Sequence, residues 1–225
     1  KYLLFELRSQ NSRASIQLLG HLGMTGRMFL AAKKEPLPKH AAVILDLGTH
    51  HFIYEDTRYF GRFTLDVSAA EKLGPEPWDE IFSPEFFQQQ LKKSRQPIKV
   101  KLLDQSLMAG VGNIYASEAL FRAGISPRRA ASKITRSEAA RLLAAIREVL
   151  TEAIDCGSTV PLNFTAGKTD GLFYFGRAAD AMDYYEERLR VYDRAGKPCG
   201  NCGEPIKRIV QAARSTFFCS TCQKV

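Results

Sequence analysis

Four cysteines near the end of the chain constrain its fold more than any other feature. Cys199 and Cys202 are separated by two residues, Cys219 and Cys222 are spaced in the same way, and sixteen residues lie between the pairs. Two residues between paired thiolates let both sulfurs of a tight turn face one ion, and two such pairs complete the four-coordinate shell that Zn²⁺ prefers. The spacing therefore predicts one structural zinc site.

Two disulfides, or a redox-active Cys-x-x-Cys pair, are the alternatives to a metal site. The sequence shows no charged-then-apolar leader and no apolar run long enough to span a membrane, which indicates an intracellular protein. Thiols stay reduced in that environment, and Cys156 is left over from the pattern. We therefore expect zinc rather than disulfides.

The charge balance of the chain is basic. Its 32 lysine and arginine residues outnumber 24 acidic residues and give a net charge of +8. Basic residues also follow both cysteine pairs, with Lys207 and Arg208 after the first and Lys224 after the second. This balance favours a polyanionic partner such as nucleic acid.

The N-terminal part of the chain, residues 1 to about 67, shows the pattern of short strands and no helical period. The predicted strands are Tyr2–Leu7, Ser15–Leu19, Val43–Leu47, Phe52–Glu55 and Phe63–Val67. The segment 73–77 follows, and its two prolines make it a stiff connection. A domain boundary is predicted there.

Capping residues predict where two helices begin after this boundary. Ser83 is suited to an N-cap with Pro84 at the first helical position, and Thr135 and Glu138 form a capping box. The apolar residues expected to line the first helix are Phe86, Phe87 and Leu91. Those expected on one face of the second are Leu142, Ile146, Val149, Leu150, Ala153 and Ile154, with Gly157 placed to end it.

A glycine-containing segment, 107–121, lies between these helices. Gly110 and Gly112 allow a sharp turn, Asn113 is suited to a cap, and a helix is predicted from Ile114 to about Ala123, before Gly124. The amides at that helix start would hold a phosphate. An ordinary helix–helix turn is the commoner interpretation of such a pattern, and the residues alone leave both open.

Several segments taken together closely resemble the formamidopyrimidine-DNA glycosylase family. They are 21–26 (HLGMTG), 56–61 (DTRYFG), 73–77 (LGPEP), 108–121 (MAGVGNIYASEALF) and the cysteine pattern. The resemblance implies a base-excision repair DNA glycosylase and AP lyase that removes oxidised purines, 8-oxoguanine and formamidopyrimidines, from duplex DNA by base flipping and Schiff-base chemistry. It implies an α+β fold, in which a β-sandwich joins a helical domain with a helix-two-turn-helix motif and a zinc-finger β-hairpin, with DNA bound across the cleft.

The resemblance also implies DNA-binding residues. Asn113 matches the helix-two-turn-helix asparagine, and Arg214 the zinc-finger arginine, that contact phosphates flanking the lesion. Other residues match further DNA-side positions of the family: His21, His40, Lys99 and Tyr192. A lone histidine is more often a structural residue than a ligand contact, so both interpretations of the histidines stay open.

Three side chains match the family's set that fills the gap left by the flipped base. By this match, Met24 fills the gap in the base stack, Arg58 faces the base left unpaired on the opposite strand, and Phe60 inserts beside that base. A base in a duplex cannot reach an enzyme pocket without leaving the stack, so something must replace it. On periodicity alone, Met24 and Phe60 would more often be core residues. The loop 162–185 matches the family's lid over the flipped base.

Lys1 and Arg214 are the catalytic candidates by the same resemblance. Lys1 matches a lysine to which the family assigns proton transfer in backbone cleavage. The family's nucleophile is an N-terminal proline followed by a glutamate, and neither is in this sequence. We therefore expect that the chain lacks its N-terminal catalytic segment and is inactive alone. Tyr59 is a smaller departure, since the family has a second basic residue there.

These observations predict four domains and leave alternative functions. The domains are 1–77, an incomplete β-sandwich; 78–157, helical; 158–190, the lid loop; and 191–225, the zinc finger. We expect a monomer in the bacterial cytoplasm, associated with the nucleoid, that holds one structural Zn²⁺ and binds double-stranded DNA containing oxidised bases or abasic sites, with no membrane partner. The alternatives are an endonuclease VIII-type glycosylase for oxidised pyrimidines and a non-catalytic, zinc-dependent DNA-binding module.

Overall fold

A computed structural model describes residues 2–8, 15–23, 26–155 and 188–224. These residues form two compact units, the first ending at Lys72 and the second beginning at Leu73. No helix within the described ranges is long and apolar enough to cross a membrane.

Six strands and one short helix make up the first unit. They are β1 (Tyr2–Arg8), β2 (Ser15–His21), β3 (Gly26–Ala32), β4 (Ala41–Asp46), β5 (His50–Asp56), β6 (Arg62–Thr64) and α1 (Ser68–Glu71). The strands form two antiparallel three-stranded sheets, in the orders β1-β2-β6 and β3-β5-β4.

The two sheets pack against each other through aromatic side chains. The ring centroids of Phe5 in one sheet and Phe52 in the other lie 5.5 Å apart, and those of Phe63 and Tyr54 lie 5.2 Å apart. Met28 is buried in the same cluster. Two sheets with a shared apolar core form a β-sandwich, which confirms the predicted fold of this part.

One strand of the sandwich was not predicted, and the ends of the others differ by a few residues. The sequence of β3, GRMFLAA, has no strict alternation of polar and apolar residues. Its pairing with β5, in which Met28 lies opposite Tyr54, holds it in the sheet. A partner distant in sequence therefore stabilises a strand whose own pattern is weak.

Helices build the core of the second unit. They are α2 (Pro84–Lys92), α3 (Ile98–Leu102), α4 (Asn113–Arg122), a 3₁₀ turn (Ala131–Lys133) and α5 (Arg136–Asp155). Ser83 caps α2 as predicted, since its hydroxyl accepts a hydrogen bond from the Phe86 amide at 3.1 Å. Phe87 and Leu91 of α2 are fully buried, and Phe86 packs at the margin of the same core.

The longest helix, α5, begins at the predicted capping box. The Thr135 amide donates to a Glu138 carboxylate oxygen at 2.9 Å, and the Glu138 amide donates to the Thr135 hydroxyl at 3.3 Å. The predicted face is buried from Leu142 to Ala153. Ile154 is 65% exposed, so its assignment to that face was wrong. It lies in the last turn of α5. The predicted stop, Gly157, lies outside the described residues.

A β-hairpin carries the end of the chain. It consists of β7 (Lys207–Gln211) and β8 (Arg214–Phe218), joined at Ala212 and Ala213, whose φ angles of 47° and 57° are the left-handed values of a tight hairpin turn. Phe217 is buried with Phe121 of α4 and with Val191. This apolar contact docks the hairpin on the helical core.

Candidate metal centre and nucleic-acid interface

The four predicted ligands lie together at the base of the hairpin. All four sulfur atoms are within 4.8 Å of one another. The Sγ atoms of Cys199 and Cys222 are 3.9 Å apart, and those of Cys202 and Cys219 are 3.5 Å apart. Zn–S bonds of about 2.3 Å in a tetrahedron place sulfurs about 3.8 Å apart. The donor set therefore fits one zinc ion, as the spacing predicted.

Backbone hydrogen bonds shape the turns that carry the ligands. The Gly203 amide donates to the Cys199 carbonyl at 2.8 Å, and Gly203 has a φ of 78°, a value that favours glycine. On the other pair, the Cys219 amide donates to the Gln223 side-chain oxygen at 2.9 Å, while the Gln223 nitrogen donates to the Ile125 carbonyl at 2.9 Å. Gln223, which is buried, thereby ties the metal centre to the segment after α4.

A buried lysine on α3 joins the helical core to the hairpin. The Lys99 side chain is 0% exposed, and its Nζ donates to Asn113 Oδ1 at 2.6 Å, Thr216 Oγ1 at 2.7 Å and the Ser215 carbonyl at 2.9 Å. Burial, and the charge of Arg214, lower the pKa of Lys99 to about 8. The amine is therefore still mostly protonated at pH 7.

Asn113 occupies the centre of this network. Its Nδ2 donates to the Ser215 carbonyl at 3.1 Å and to the Tyr192 hydroxyl at 3.3 Å. Asn113 is the first residue of α4, and Gly112 is the N-cap, with no side-chain hydrogen bond to the helix. The expected capping role of Asn113 was therefore wrong, because Lys99 and the hairpin engage its side chain instead.

Arg214 and Tyr192 flank the same network. Arg214 is an exposed residue at the start of β8, directly before Ser215. The Tyr192 ring packs edge-on against Phe217, with centroids 5.0 Å apart, and this contact fixes its hydroxyl near Asn113. The structure thus brings together the four residues that the resemblance singled out in this unit: Lys99, Asn113, Tyr192 and Arg214.

A buried glutamate on α4 holds the segment that carries Tyr192. The Glu118 carboxylate is 0% exposed and accepts hydrogen bonds from the amides of Arg190 and Val191 at 2.9 Å and of Tyr192 at 2.8 Å. Sequence reasoning gave it no role. The signal that could have revealed it is an acidic residue among small and apolar residues, because positions 116–121 of α4 are all buried.

In the first unit, Asp56 shapes the loop that presents Arg58 and Phe60. Its carboxylate is buried and accepts hydrogen bonds from the amides of Arg58 at 3.2 Å and Gly61 at 2.7 Å, and from the Tyr54 hydroxyl at 3.1 Å. Burial and the hydrogen bond to Asp56 raise the pKa of Tyr54 to about 12. A Cβ on residue 61 would lie 1.5 Å from the Tyr54 oxygen, so the loop requires glycine there.

The loop exposes the two side chains that the resemblance assigned to void filling. Phe60 is 61% exposed, so the alternative that it is a core residue was wrong. Arg58 lies with its guanidinium carbon 5.0 Å from the centroid of the Phe60 ring. A cation over an aromatic face is a stabilising arrangement, and here it orients both side chains together.

The two histidines are partly buried residues of the first unit. His21 accepts a hydrogen bond from the Gly23 amide on Nδ1 at 3.1 Å, and burial, with nearby positive charge such as that of Arg62, lowers its pKa. The neutral ring then carries its proton on Nε2. The His40 carbonyl accepts from the Asp56 amide at 3.1 Å. Both histidines thus have structural contacts, and their DNA contacts stay predictions.

Three predicted features of the DNA site also lie outside the described residues. They are Lys1, Met24 and the loop 162–185. Their assigned roles stay predictions.

Three family models match successive parts of the chain. The formamidopyrimidine-DNA glycosylase N-terminal domain matches residues 1–63, the H2TH domain of the same glycosylase matches 73–163, and a zinc finger found in FPG and IleRS matches 196–225. A formamidopyrimidine-DNA glycosylase of Thermus thermophilus is 42% identical over 231 residues, covering 99% of this chain and 79% of the relative. The chain belongs to the formamidopyrimidine-DNA glycosylase family. The N-terminal domain match starts at residue 1 and gives no support to the expectation that this segment is lacking.

Other members agree in sequence and structure. A formamidopyrimidine-DNA glycosylase of Pelotomaculum thermopropionicum is 40% identical and covers all of this chain and 79% of the relative. The Lactococcus lactis enzyme, solved with DNA containing an abasic site, has a TM-score of 0.77 at 33% identity, covering 93% of this chain and 75% of that one. A MutM structure with carbocyclic 8-oxo-G DNA has a TM-score of 0.77, also at 33% identity, covering 93% and 74%.

Proposed function

We propose that this protein is a base-excision repair DNA glycosylase and AP lyase that removes oxidised purines from duplex DNA. The observation that carries the proposal is the convergence of Asn113, Tyr192 and Arg214 where the helical core meets the zinc-bearing hairpin. Membership of the family supports the reaction class. Relatives of this fold were solved with DNA that contains abasic sites or 8-oxo-G.

Phosphate binding is assigned to this convergence. Arg214 offers an exposed guanidinium, and the start of α4 adds the partial positive charge of a helix N-terminus. Tyr192 offers a neutral hydroxyl donor beside them, and Asn113 holds that hydroxyl in place through Nδ2. Contacts of this kind hold the DNA backbone in position without reading its sequence, as an enzyme that searches duplex for damaged bases requires.

Filling of the vacated stack is assigned to Arg58 and Phe60, together with Met24. An enzyme that flips a base pays an unstacking cost of a few kcal/mol, which side chains inserted into the gap offset in part. The exposure of Phe60 in a loop fixed by Asp56 supports this assignment. The Phe60 ring is exposed to solvent there and can stack against DNA bases.

In the chemical step implied by the family, an amine attacks C1′ of the sugar, and the base leaves with the electron pair of its bond to C1′. The sugar ring then opens at C1′, its oxygen takes up the proton that the nitrogen releases, and a Schiff base results. Such an amine must be unprotonated near neutral pH, which a terminal amine with a pKa of about 8 allows and an ordinary lysine near 10 does not. By resemblance this amine belongs to an N-terminal proline. The 225 residues do not start with one, so none of them is assigned to the attack. Proton transfer by Lys1, a monomeric state and a nucleoid location remain proposals.

Borohydride trapping tests the proposed reaction. The protein expressed from its complete natural reading frame is mixed with duplexes containing 8-oxoguanine, an oxidised pyrimidine or no lesion, and borohydride reduces any Schiff base to a stable cross-link. A cross-link formed fastest on 8-oxoguanine DNA supports the proposal. Faster trapping on the oxidised pyrimidine favours the endonuclease VIII-type alternative. Tight binding with no trapping on any duplex favours the non-catalytic module.

Replacing Arg214 by alanine tests the phosphate site. We expect weaker binding to all duplexes and a plot of log affinity against log salt whose slope is reduced by about one, because one fewer counterion is released. The measurement is a fluorescence titration between 50 and 200 mM salt, a range in which such contacts weaken strongly. Arg141→Ala, an exposed arginine on α5, is the control and should leave the slope unchanged. Reduced affinity with an unchanged slope in Arg214→Ala would show that the residue acts through folding.

A further inference from the structure

The surroundings of the Lys99 ammonium are not those of a side chain that contacts DNA directly. Its side chain is 0% exposed, so the ammonium is not presented to solvent. The three hydrogen atoms of an ammonium meet three acceptors, all within 2.9 Å. None of these acceptors is a carboxylate. Burying a charge without a counter-ion costs free energy. This cost favours a functional role for Lys99 in addition to its packing.

The ammonium determines which way the Asn113 side chain faces. An amide has an acceptor oxygen on one side and a donor nitrogen on the other. With the oxygen 2.6 Å from Lys99 Nζ, the nitrogen faces the Ser215 carbonyl and the Tyr192 hydroxyl. The opposite orientation would place the amide donors against the ammonium. Lys99 therefore excludes the flipped amide.

The orientation of Asn113 in turn determines what the Tyr192 hydroxyl can do. That hydroxyl accepts a hydrogen bond from Asn113 Nδ2, so its own proton remains to be donated to another acceptor. A flipped amide would present its oxygen and draw that proton inward. Glu118 fixes the Tyr192 backbone at the same time. Arg214 directly precedes Ser215, whose carbonyl accepts hydrogen bonds from both Lys99 and Asn113.

We propose that Lys99 is a positioning residue for phosphate recognition: its buried ammonium fixes the Asn113 amide and, through it, turns the Tyr192 hydroxyl toward a phosphate oxygen of the DNA backbone. The inference rests on the proposed function, because it assigns the site to DNA. Neither Lys99 nor Arg214 forms an ion pair with a described residue, and a bound phosphate supplies a negative charge beside both. Lys99 thus contributes to affinity without touching the ligand.

A double-mutant cycle tests this inference. Affinities for a duplex with a tetrahydrofuran abasic analogue are measured for the natural full chain, Lys99→Met, Asn113→Ala and the double variant. If Lys99 acts through Asn113, each single change weakens binding by about tenfold, the effect of losing one hydrogen bond of a charged group, and the double variant is weaker by about tenfold rather than a hundredfold. The salt slope of Lys99→Met stays closer to wild type than that of Arg214→Ala, since no direct phosphate contact is lost.

A second readout is independent of DNA. The side-chain amide of Asn113 gives a proton–nitrogen NMR signal, and Lys99→Met should shift it and speed its hydrogen exchange. The cycle is repeated with Lys99→Gln, which keeps a polar group at the buried position, so that the result does not depend on one variant folding. Zinc content and the thermal unfolding curve of each variant are compared with those of wild type to verify that the variant is folded.

The outcomes separate the inference from the function on which it rests. Additive losses in the cycle, or a salt slope that falls as far as in Arg214→Ala, would overturn the positioning role while leaving the DNA-binding function intact. Wild-type affinity in a Lys99 variant with reduced thermal stability would also overturn it, in favour of hairpin docking alone. A wild-type protein that binds no duplex would overturn both proposals.

Discussion

Replacing Cys219 by serine should release the zinc ion and unfold the hairpin that carries Arg214. Structural zinc contributes about 10–16 kcal/mol of apparent binding free energy in finger peptides, and Cys219 is a fully buried ligand whose amide is also bound by Gln223. Because the phosphate contacts assigned to the hairpin would be lost together, we expect DNA affinity to fall by about a hundredfold. Zinc is measured by a colorimetric chelator and affinity by titration.

Cys156→Ser is the matched control for this experiment. It removes the one cysteine outside the metal pattern and should leave both zinc content and affinity unchanged. A Cys219→Ser protein that retained one equivalent of zinc and normal affinity would contradict the assigned role of the metal. Cys202→Ser, which changes a more exposed ligand, should give the same result and exclude an effect of core packing.

Replacing Phe60 by alanine should slow excision of a paired lesion by about tenfold to a hundredfold. Unstacking costs a few kcal/mol, and about 1.4 kcal/mol of lost compensation corresponds to a tenfold slower step. Cleavage at a preformed abasic site should change much less, because no base has to leave the stack. Single-turnover rates on the two substrates, measured with protein from the complete reading frame, give the ratio directly.

Met24→Ala should show the same selective loss of excision. Arg58→Ala should in addition reduce the enzyme's discrimination among the bases that lie opposite the lesion. A guanidinium presents fixed donors that suit some base edges better than others. Leu65→Ala is the control, since Leu65 is an exposed apolar residue of the same unit outside the loop. Equal loss of both activities in all three variants, with unchanged thermal stability, would instead indicate a general contribution to DNA affinity.

Features that depend on residues close together in sequence were predictable here. The zinc ligands, the Ser83 cap and the Thr135–Glu138 capping box are all set by spacings of two or three residues. At such spacings, local backbone geometry decides whether the two sulfurs of one cysteine pair can face the same ion and whether a capping side chain can meet an amide. The same holds for the apolar period of α5, which failed only at its last turn, at Ile154.

The sequence by itself therefore determined the metal centre, the main helix starts and, through its family segments, the residues of the candidate site. Only the tertiary structure decided what several of them do. Lys99 is separated from Thr216 by 117 positions, and Glu118 from Tyr192 by 74. No local pattern reveals whether a lysine faces water or three buried acceptors, because that depends on how distant segments pack. Packing therefore buries a residue that the resemblance singled out as a DNA contact and places its ammonium against Asn113. The role of Lys99 in DNA binding stays a prediction.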